Sequence, residues 1–257
     1  MKAVEITSII EKFAPLSLQE SWDNSGYCIG SPNQEVSSAI VALDCTPKVV
    51  DLAIECGADM IITHHPLIFG GVKKISIENS LGYVIYKAIQ HGMVVYSCHT
   101  NMDKVIDGVS GLMALRLGLS DIEILSKGDE ESGLGVVGLL PDGLNDEEFA
   151  QKVKEVFSVK SVRCSTPKGK VIKKVALCGG SGKSLIKAAQ EAGADAYITG
   201  DISYHDFLTE DGFFLVDIGH YESEIDVVEK ISSILKEKLP TFAVRTILDN
   251  NNLVYYI

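Results

Sequence analysis

Glu55-Cys56-Gly57-Ala58-Asp59-Met60-Ile61-Ile62-Thr63-His64-His65-Pro66 reads as a helix end, a glycine break and a short apolar strand that stops at two histidines. An apolar run without alternation marks a strand buried on both faces, as in a parallel sheet. Side chains at the carboxyl end of such a strand face the crevice where open α/β sheets bind ligands. Two neutral imidazoles side by side there are costly unless a cation sits between them, and a transition metal is the natural candidate. The alternative is a pair of loop histidines hydrogen-bonded to backbone.

The pattern occurs twice. Residues 41–63 run Val-Ala-Leu-Asp, turn, helix, then Glu55 to Thr63. Residues 175–199 run Val-Ala-Leu-Cys, Gly-rich turn, helix, then Glu191-Ala192-Gly193-Ala194-Asp195-Ala196-Tyr197-Ile198-Thr199, with identities to the first copy clustered at the same structural points and two more residues at the turn. Each copy is a βαβ unit whose helix breaks at glycine before the next strand. After the shared threonine come His64-His65 in one copy and Gly200-Asp201 in the other. The likeness continues more weakly. A helix over 81–90 leads through His91-Gly92 into a strand over 93–98 that ends at His99. Asp211-Gly212 leads into a strand over 213–218 that ends near His220. Gly-Ala-Asp before a strand is common in α/β proteins, but matched order and spacing over two elements favour duplication. The expected fold class is α/β, built of two related βαβ-type halves.

The expected division is 1–120 for the first half, 121–170 for a small α+β connector and 171–257 for the second half. Within the connector, 133–140 reads as a glycine-interrupted strand, Asn145 as the cap of a helix over 146–157, and 159–164 as a strand. The chain opens with an amphipathic helix over 4–13, stopped before Pro15. It closes with a helix over 224–238, stopped by Leu239-Pro240, then strands over 241–247 and 253–257 joined by a turn at Asn250-Asn251-Asn252.

Among 257 residues, 46% are hydrophobic, ample for a core, and the formal charge of −12 argues against binding along a nucleic-acid duplex. No apolar run is long enough to span a bilayer, and the first residues lack a signal peptide's apolar segment, so a cytoplasmic location is expected. Six cysteines without a Cys-x-x-Cys pair read mostly as buried thiols rather than a disulfide framework or a structural zinc site.

The polar residues set at strand ends are His64, His65, His99, Asp103, Asp201, His205, His220 and Glu224, which include five of the six histidines. Histidines with carboxylates suit Zn, Mn, Fe or Co. If Glu224 lies in the first turn of the last helix, its i,i+4 spacing lets it face the same point as His220; an acidic residue that simply favours a helix N-terminus is the alternative. Asp103 reads as a loop carboxylate, which is more often a turn residue than a ligand. His205 reads as a substrate contact or a surface residue, and His91 as structural. Gly179-Gly180-Ser181-Gly182-Lys183-Ser184 imitates a phosphate-binding P-loop, but Leu177 stands where that motif needs glycine. The loop is expected to make a tight turn whose N–H groups could still hold an anion.

Trp22-Asp23-Asn24-Ser25-Gly26 reads locally as a turn into a strand. Together with Ile62-Thr63-His64-His65-Pro66-Leu67-Ile68-Phe69, His99-Thr100-Asn101-Met102-Asp103, Ile198-Thr199-Gly200-Asp201 and Gly219-His220-Tyr221-Glu222-Ser223-Glu224, in that order, it resembles the family named for an interacting factor, factor three, of the yeast NGG regulator. Bacterial members of that family are labelled GTP cyclohydrolase type 2 homologues, and the length resembles the short bacterial form. The resemblance implies a dinuclear metal site between the halves, with two divalent ions per chain held by His64, His65, Asp103, His220 and Glu224 and with His99 close by. It also implies a homohexameric ring. Ser25 replaces an apolar residue expected at its position, which concerns packing.

Two such ions activate water, so the leading expectation is a metal-dependent hydrolase of a nucleotide or related small molecule, with GTP ring opening and formate release as its specific form. His99 and His205 are the candidate proton carriers. A phosphoesterase would use the same ligands, and a metal-delivery or ring-scaffold protein is the non-catalytic alternative. Basic residues such as Lys73, Lys74, Arg163 and Lys183 beside the metals would favour an anionic substrate.

Overall fold

The computed structural model describes residues 1–128, 132–209, 212–248, 252–255 and 257. The chain forms two compact units, Met1–Met102 with Val227–Asn252, and Asp103–Asp226 with Leu253–Ile257.

The first unit holds a five-stranded sheet of β1 (Gly26–Ile29), β2 (Ser38–Ala42), β3 (Met60–Thr63), β4 (Val94–Ser97) and β11 (Ala243–Thr246), in the order β1-β4-β3-β2-β11. Strands β4, β3, β2 and β11 are parallel, and β1 is an antiparallel edge. Helices α1 (Ala3–Phe13), α2 (Pro47–Cys56), α3 (Ser80–Gln90) and α9 (Asp226–Lys238) accompany it. All four residues of β3 are fully buried. Removing Ile61 and Ile62 from water stabilises the sheet by roughly 1.5–3 kcal/mol each. Helix α2 begins where the Thr46 hydroxyl accepts from the Val49 N–H at 3.3 Å, has Pro47 at its first position, and stops at Gly57 in the left-handed region.

The second unit holds β5 (Ser120–Lys127), β6 (Gly133–Asn145), β7 (Arg163–Cys164), β8 (Val171–Leu177), β9 (Ala196–Thr199) and β10 (Phe214–Asp217), in the order β5-β6-β8-β9-β10-β7. Strands β8, β9 and β10 are parallel, and β7 is an antiparallel edge on β10. Helices α5 (Val109–Leu117), α6 (Asp146–Val156), α7 (Ile186–Glu191) and the one-turn α8 (His220–Glu224) belong here. Asn145 caps α6 in a reciprocal capping box with Glu148.

The duplication is visible in both sheets. Each has three parallel strands, β2-β3-β4 and β8-β9-β10, followed by one antiparallel edge. The copies differ between the second and third strands, where α3 in the first unit is matched, among the described residues, by a single 3₁₀ turn, Tyr204–Phe207.

Three expectations need adjustment. The boundaries at 120 and 170 do not coincide with those of the compact units. The 121–170 stretch supplies β5, β6 and β7 to the second sheet, because β6 pairs antiparallel with β8 (Val136 opposite Leu177). Helix α9 and β11 return to the first unit, because β11 pairs with β2. The expected turn at 250–252 lies largely outside the described residues, and no strand forms at 253–255. Among the described residues no helix is long and apolar enough to cross a membrane.

Gly57 and Gly193 close the equivalent helices at φ of 65° and 71°, and a Cβ added at either meets nothing within 4 Å. Alanine there adds backbone strain without a clash, of about 1 kcal/mol. Gly57→Ala and Gly193→Ala should each lower the melting temperature by about 2–4 °C. Gly82→Ala, whose Cβ would lie 2.0 Å from the Ser76 carbonyl oxygen, should cost more. Calorimetry on the three variants checks the order.

Candidate metal centre

In the first unit three imidazoles gather past the carboxyl ends of neighbouring strands. The His64 and His65 rings are 5.1 Å apart, and the His99 ring lies 5.3 and 5.6 Å from them. One ring nitrogen from each falls within 4.8 Å of the others. Each ring is fixed through Nδ1. His64 Nδ1 meets the Cys98 carbonyl oxygen at 2.9 Å, past the end of β4. His65 Nδ1 meets Asp44 Oδ1 at 2.8 Å, past the end of β2. His99 Nδ1 meets Asp23 Oδ1 at 2.8 Å, ahead of β1. A carbonyl or carboxylate oxygen can only accept, so each Nδ1 carries a proton, and in the neutral ring Nε2 keeps its lone pair. The buried backbone is held as well: the Thr63 hydroxyl donates to the His65 carbonyl at 2.7 Å, and the His65 N–H to the Leu43 carbonyl at 3.0 Å.

Burial, and then the neighbouring His64 ring, press the His99 pKa down to about 4 against the pull of Asp23, so His99 is neutral near pH 7. Burial would raise Asp23, but hydrogen bonds from His99 and Thr100 outweigh it and bring its pKa to about 2. Asp23 also accepts from the Thr100 N–H at 3.0 Å, and the Ser25 hydroxyl accepts from the His99 N–H at 3.1 Å. The Trp22–Gly26 turn therefore builds the site. Ser25 is a hydrogen-bonding residue there rather than a packing substitution.

In the second unit the His220 and Glu224 side chains meet, with Nε2 and Oε2 3.1 Å apart, and His220 Nδ1 meets Asp201 Oδ2 at 2.7 Å. Glu224 ends α8 rather than opening α9, because the helix that carries this pair begins at His220. Its carboxylate is buried. Asp103 closes the one-turn helix α4 (Thr100–Asp103) instead of sitting in a loop. Asp103 and Glu224 both lie near the buried Cys178 thiol. Burial first, with these charges helping, pushes that thiol up to about 12, so without a metal it is a protonated thiol.

The loop that imitates a P-loop has a different task. A Cβ on Gly180, at φ 61°, would lie 2.2 Å from Glu224 Oε1 and 3.3 Å from His220 Nε2, and one on Gly182 would lie 2.5 Å from the Thr199 and Tyr197 oxygens. The Gly180 N–H donates to the Ser223 hydroxyl at 2.8 Å and the Gly182 N–H to the Thr199 hydroxyl at 2.9 Å. The glycines let backbone press against the ligand pair, and these two N–H groups are already committed, so neither is available to an anion.

The donor set fits a divalent ion in kind: imidazole Nε2 lone pairs oriented from behind, carboxylates, and no thiolate among them. A family model for Duf34/NIF3 (NGG1p interacting factor 3) matches residues 1–252. The chain belongs to the DUF34/NIF3 family. Curated relatives named GTP cyclohydrolase 1 type 2 homolog include one of Clostridium acetobutylicum, 37% identical over 100% of this chain and 98% of its own. Another, of Clostridium perfringens, is 38% identical over 93% of each. A Staphylococcus aureus hypothetical protein of solved structure has a TM-score of 0.93 at 31% identity, covering 100% of this chain and 99% of its own. Reduced HcgD of Methanocaldococcus jannaschii has a TM-score of 0.82 at 29% identity, covering 97% and 98%.

Not every candidate joins these clusters in this NIF3-family chain. His205 lies exposed on the 3₁₀ turn, edge-on to Tyr204, and lines a separate groove with Lys183 and Lys187. Lys183 pairs there with Asp206 at 3.5 Å. Arg163 lines a cavity of about 300 Å³ with His220 and Asp201, but its guanidinium is paired with Asp217. Lys73 and Lys74 are exposed. Sequence reading missed Asp23, Asp44 and Asp201 as orienting groups. Asp44 and Asp201 sit just past strand ends, where such partners are to be sought.

The two shifted groups titrate in separate windows. A folded-state His99 pKa near 4, against 6.5 for an ordinary histidine, means that the unfolded chain binds the proton first. That stability is complete above pH 6.5 and is lost as pH falls towards 4, about 3 kcal/mol in all. Asp23 adds a loss only between 3.8 and about 2. Urea denaturation of chelator-treated protein should show the first loss, and His99→Gln should flatten it. An unchanged slope in the variant would place the proton elsewhere.

Proposed function

We propose that this chain is a metal-dependent hydrolase that holds two divalent ions on His64, His65, Asp103, His220 and Glu224 and acts on a nucleotide or a related small molecule. The observation that carries the reading is the set of four imidazoles whose Nδ1 atoms are all occupied by fixed acceptors, which turns Nε2 of His64, His65 and His220 to a metal and leaves that of His99 for water or substrate. Divalent ions bound there would lower the pKa of water towards neutrality and polarise a carbonyl or phosphoryl oxygen. The chain's own residues do the rest. Asp44 and Asp201 hold His65 and His220 in register. Asp23 holds His99, whose neutral ring accepts a hydrogen bond from water or substrate at Nε2. The name carried by the clostridial relatives makes GTP the first substrate to test, with formate released as the guanine imidazole ring opens. A homo-oligomeric ring of six chains belongs to the same proposal.

Wild-type protein should retain close to two metals per chain and release formate from GTP, or phosphate if the reaction is phosphoester hydrolysis. Asp103→Ala and His220→Ala should lose both metal and turnover. Asp44→Asn should weaken metal binding about 10–100-fold with the fold intact. Two metals without turnover on any nucleotide would move the reading to metal handling. No metal after reconstitution would overturn the ligand set.

A further inference from the structure

Two large aromatic side chains stand in the open beside the histidine cluster. Trp22 is 58% exposed and Phe69 is 56% exposed. They meet edge to face at 5.8 Å, and each also meets the His99 ring, at 6.4 and 6.0 Å. Exposed aromatics on a loop are ordinarily mobile and single. These two are tied down from both sides. Trp22 precedes Asp23, whose side chain is sealed from solvent and bonded to His99 and Thr100. The Asn24 side-chain amide donates to the Ile68 carbonyl at 2.6 Å, which links the Trp22 segment to the residue before Phe69. The pair is thus pre-set before any ligand arrives, which lowers the entropy cost of binding. The tilted contact leaves ring surface on both side chains in solvent, and planar rings gain most from such a surface.

We infer that Trp22 and Phe69 form a stacking platform for a planar heteroaromatic ring, and that the substrate of the His64–His65–His99 site is recognised through its base. This deepens the hydrolase reading and rests on it for the identity of the site, though not for the binding itself. Stacking on an aromatic side chain tolerates different bases, because every base has a π face. The platform selects a class, and groups nearer the histidines select within it.

Trp22 is the only tryptophan in the chain, so its fluorescence, excited at the red edge of its absorption, reports on the platform alone. The metal-loaded full-length protein is titrated with guanosine, with GTP and with inorganic triphosphate. Saturable quenching by guanosine and GTP but not by triphosphate is expected, with affinity about 5- to 150-fold weaker in Phe69→Ala and restored in Phe69→Tyr. Circular dichroism and metal content of Phe69→Ala should match the wild type. A response to triphosphate alone would overturn the platform in favour of phosphate recognition. No response, with Trp22 shielded from acrylamide in the native oligomer, would overturn it in favour of a contact between copies. Turnover of GTP without any Trp22 response would sink the platform and leave the hydrolase reading standing. Quenching without turnover would do the reverse.

Discussion

A neutral imidazole has one N–H to give, and where it is given decides what the other nitrogen can do. In this chain His64, His65, His99 and His220 all give theirs at Nδ1, to the Cys98 carbonyl, Asp44, Asp23 and Asp201. The Nε2 lone pairs follow from that, and so does the demand that the acceptors stand still. Parallel sheets meet the demand well. Their strand ends are pinned by ladders buried on both faces, so a residue one or two positions past the end has little freedom.

The same logic accounts for the small residues around the second cluster. Glu224 is buried, and the backbone at Gly180 runs where a side chain would otherwise collide with it, while a side chain at Gly182 would collide with Thr199 and Tyr197. A run of glycines that resembles a nucleotide-binding loop is here a consequence of close packing. The Cys178 thiol beside it stays protonated because burial and two carboxylates disfavour its anion.

Much of this was legible in the sequence. The repeated Gly-Ala-Asp-strand-Thr sentence located β3 and β9, and with them His64, His65 and the Asp201 loop. Asn145 announced the start of α6. What escaped was non-local. His99 and Asp23 are 76 positions apart and His65 and Asp44 are 21 apart, and no period or spacing rule joins a loop aspartate to an imidazole at that range. For the same reason β11 was read into the second half, although parallel pairing carries it to β2. His205 looked like a strand-end residue because it follows Thr199 closely, but a 3₁₀ turn carries it to an exposed groove. Ser25 looked like a packing change because its hydroxyl partners, Asp23 and the His99 N–H, are invisible without the fold.

The most direct test of the account is the protonation pattern of the histidine rings themselves, read by two-bond proton–nitrogen correlation on protein labelled at the histidine side chains. At neutral pH and before metal is added, His99 should appear as the neutral Nδ1–H tautomer, and His64 and His65 should each carry a proton at Nδ1, with added divalent ion shifting the Nε2 signals of His64, His65 and His220. His64, His65 or His99 found as the Nε2–H tautomer would contradict the claim that these acceptors orient a metal-binding set.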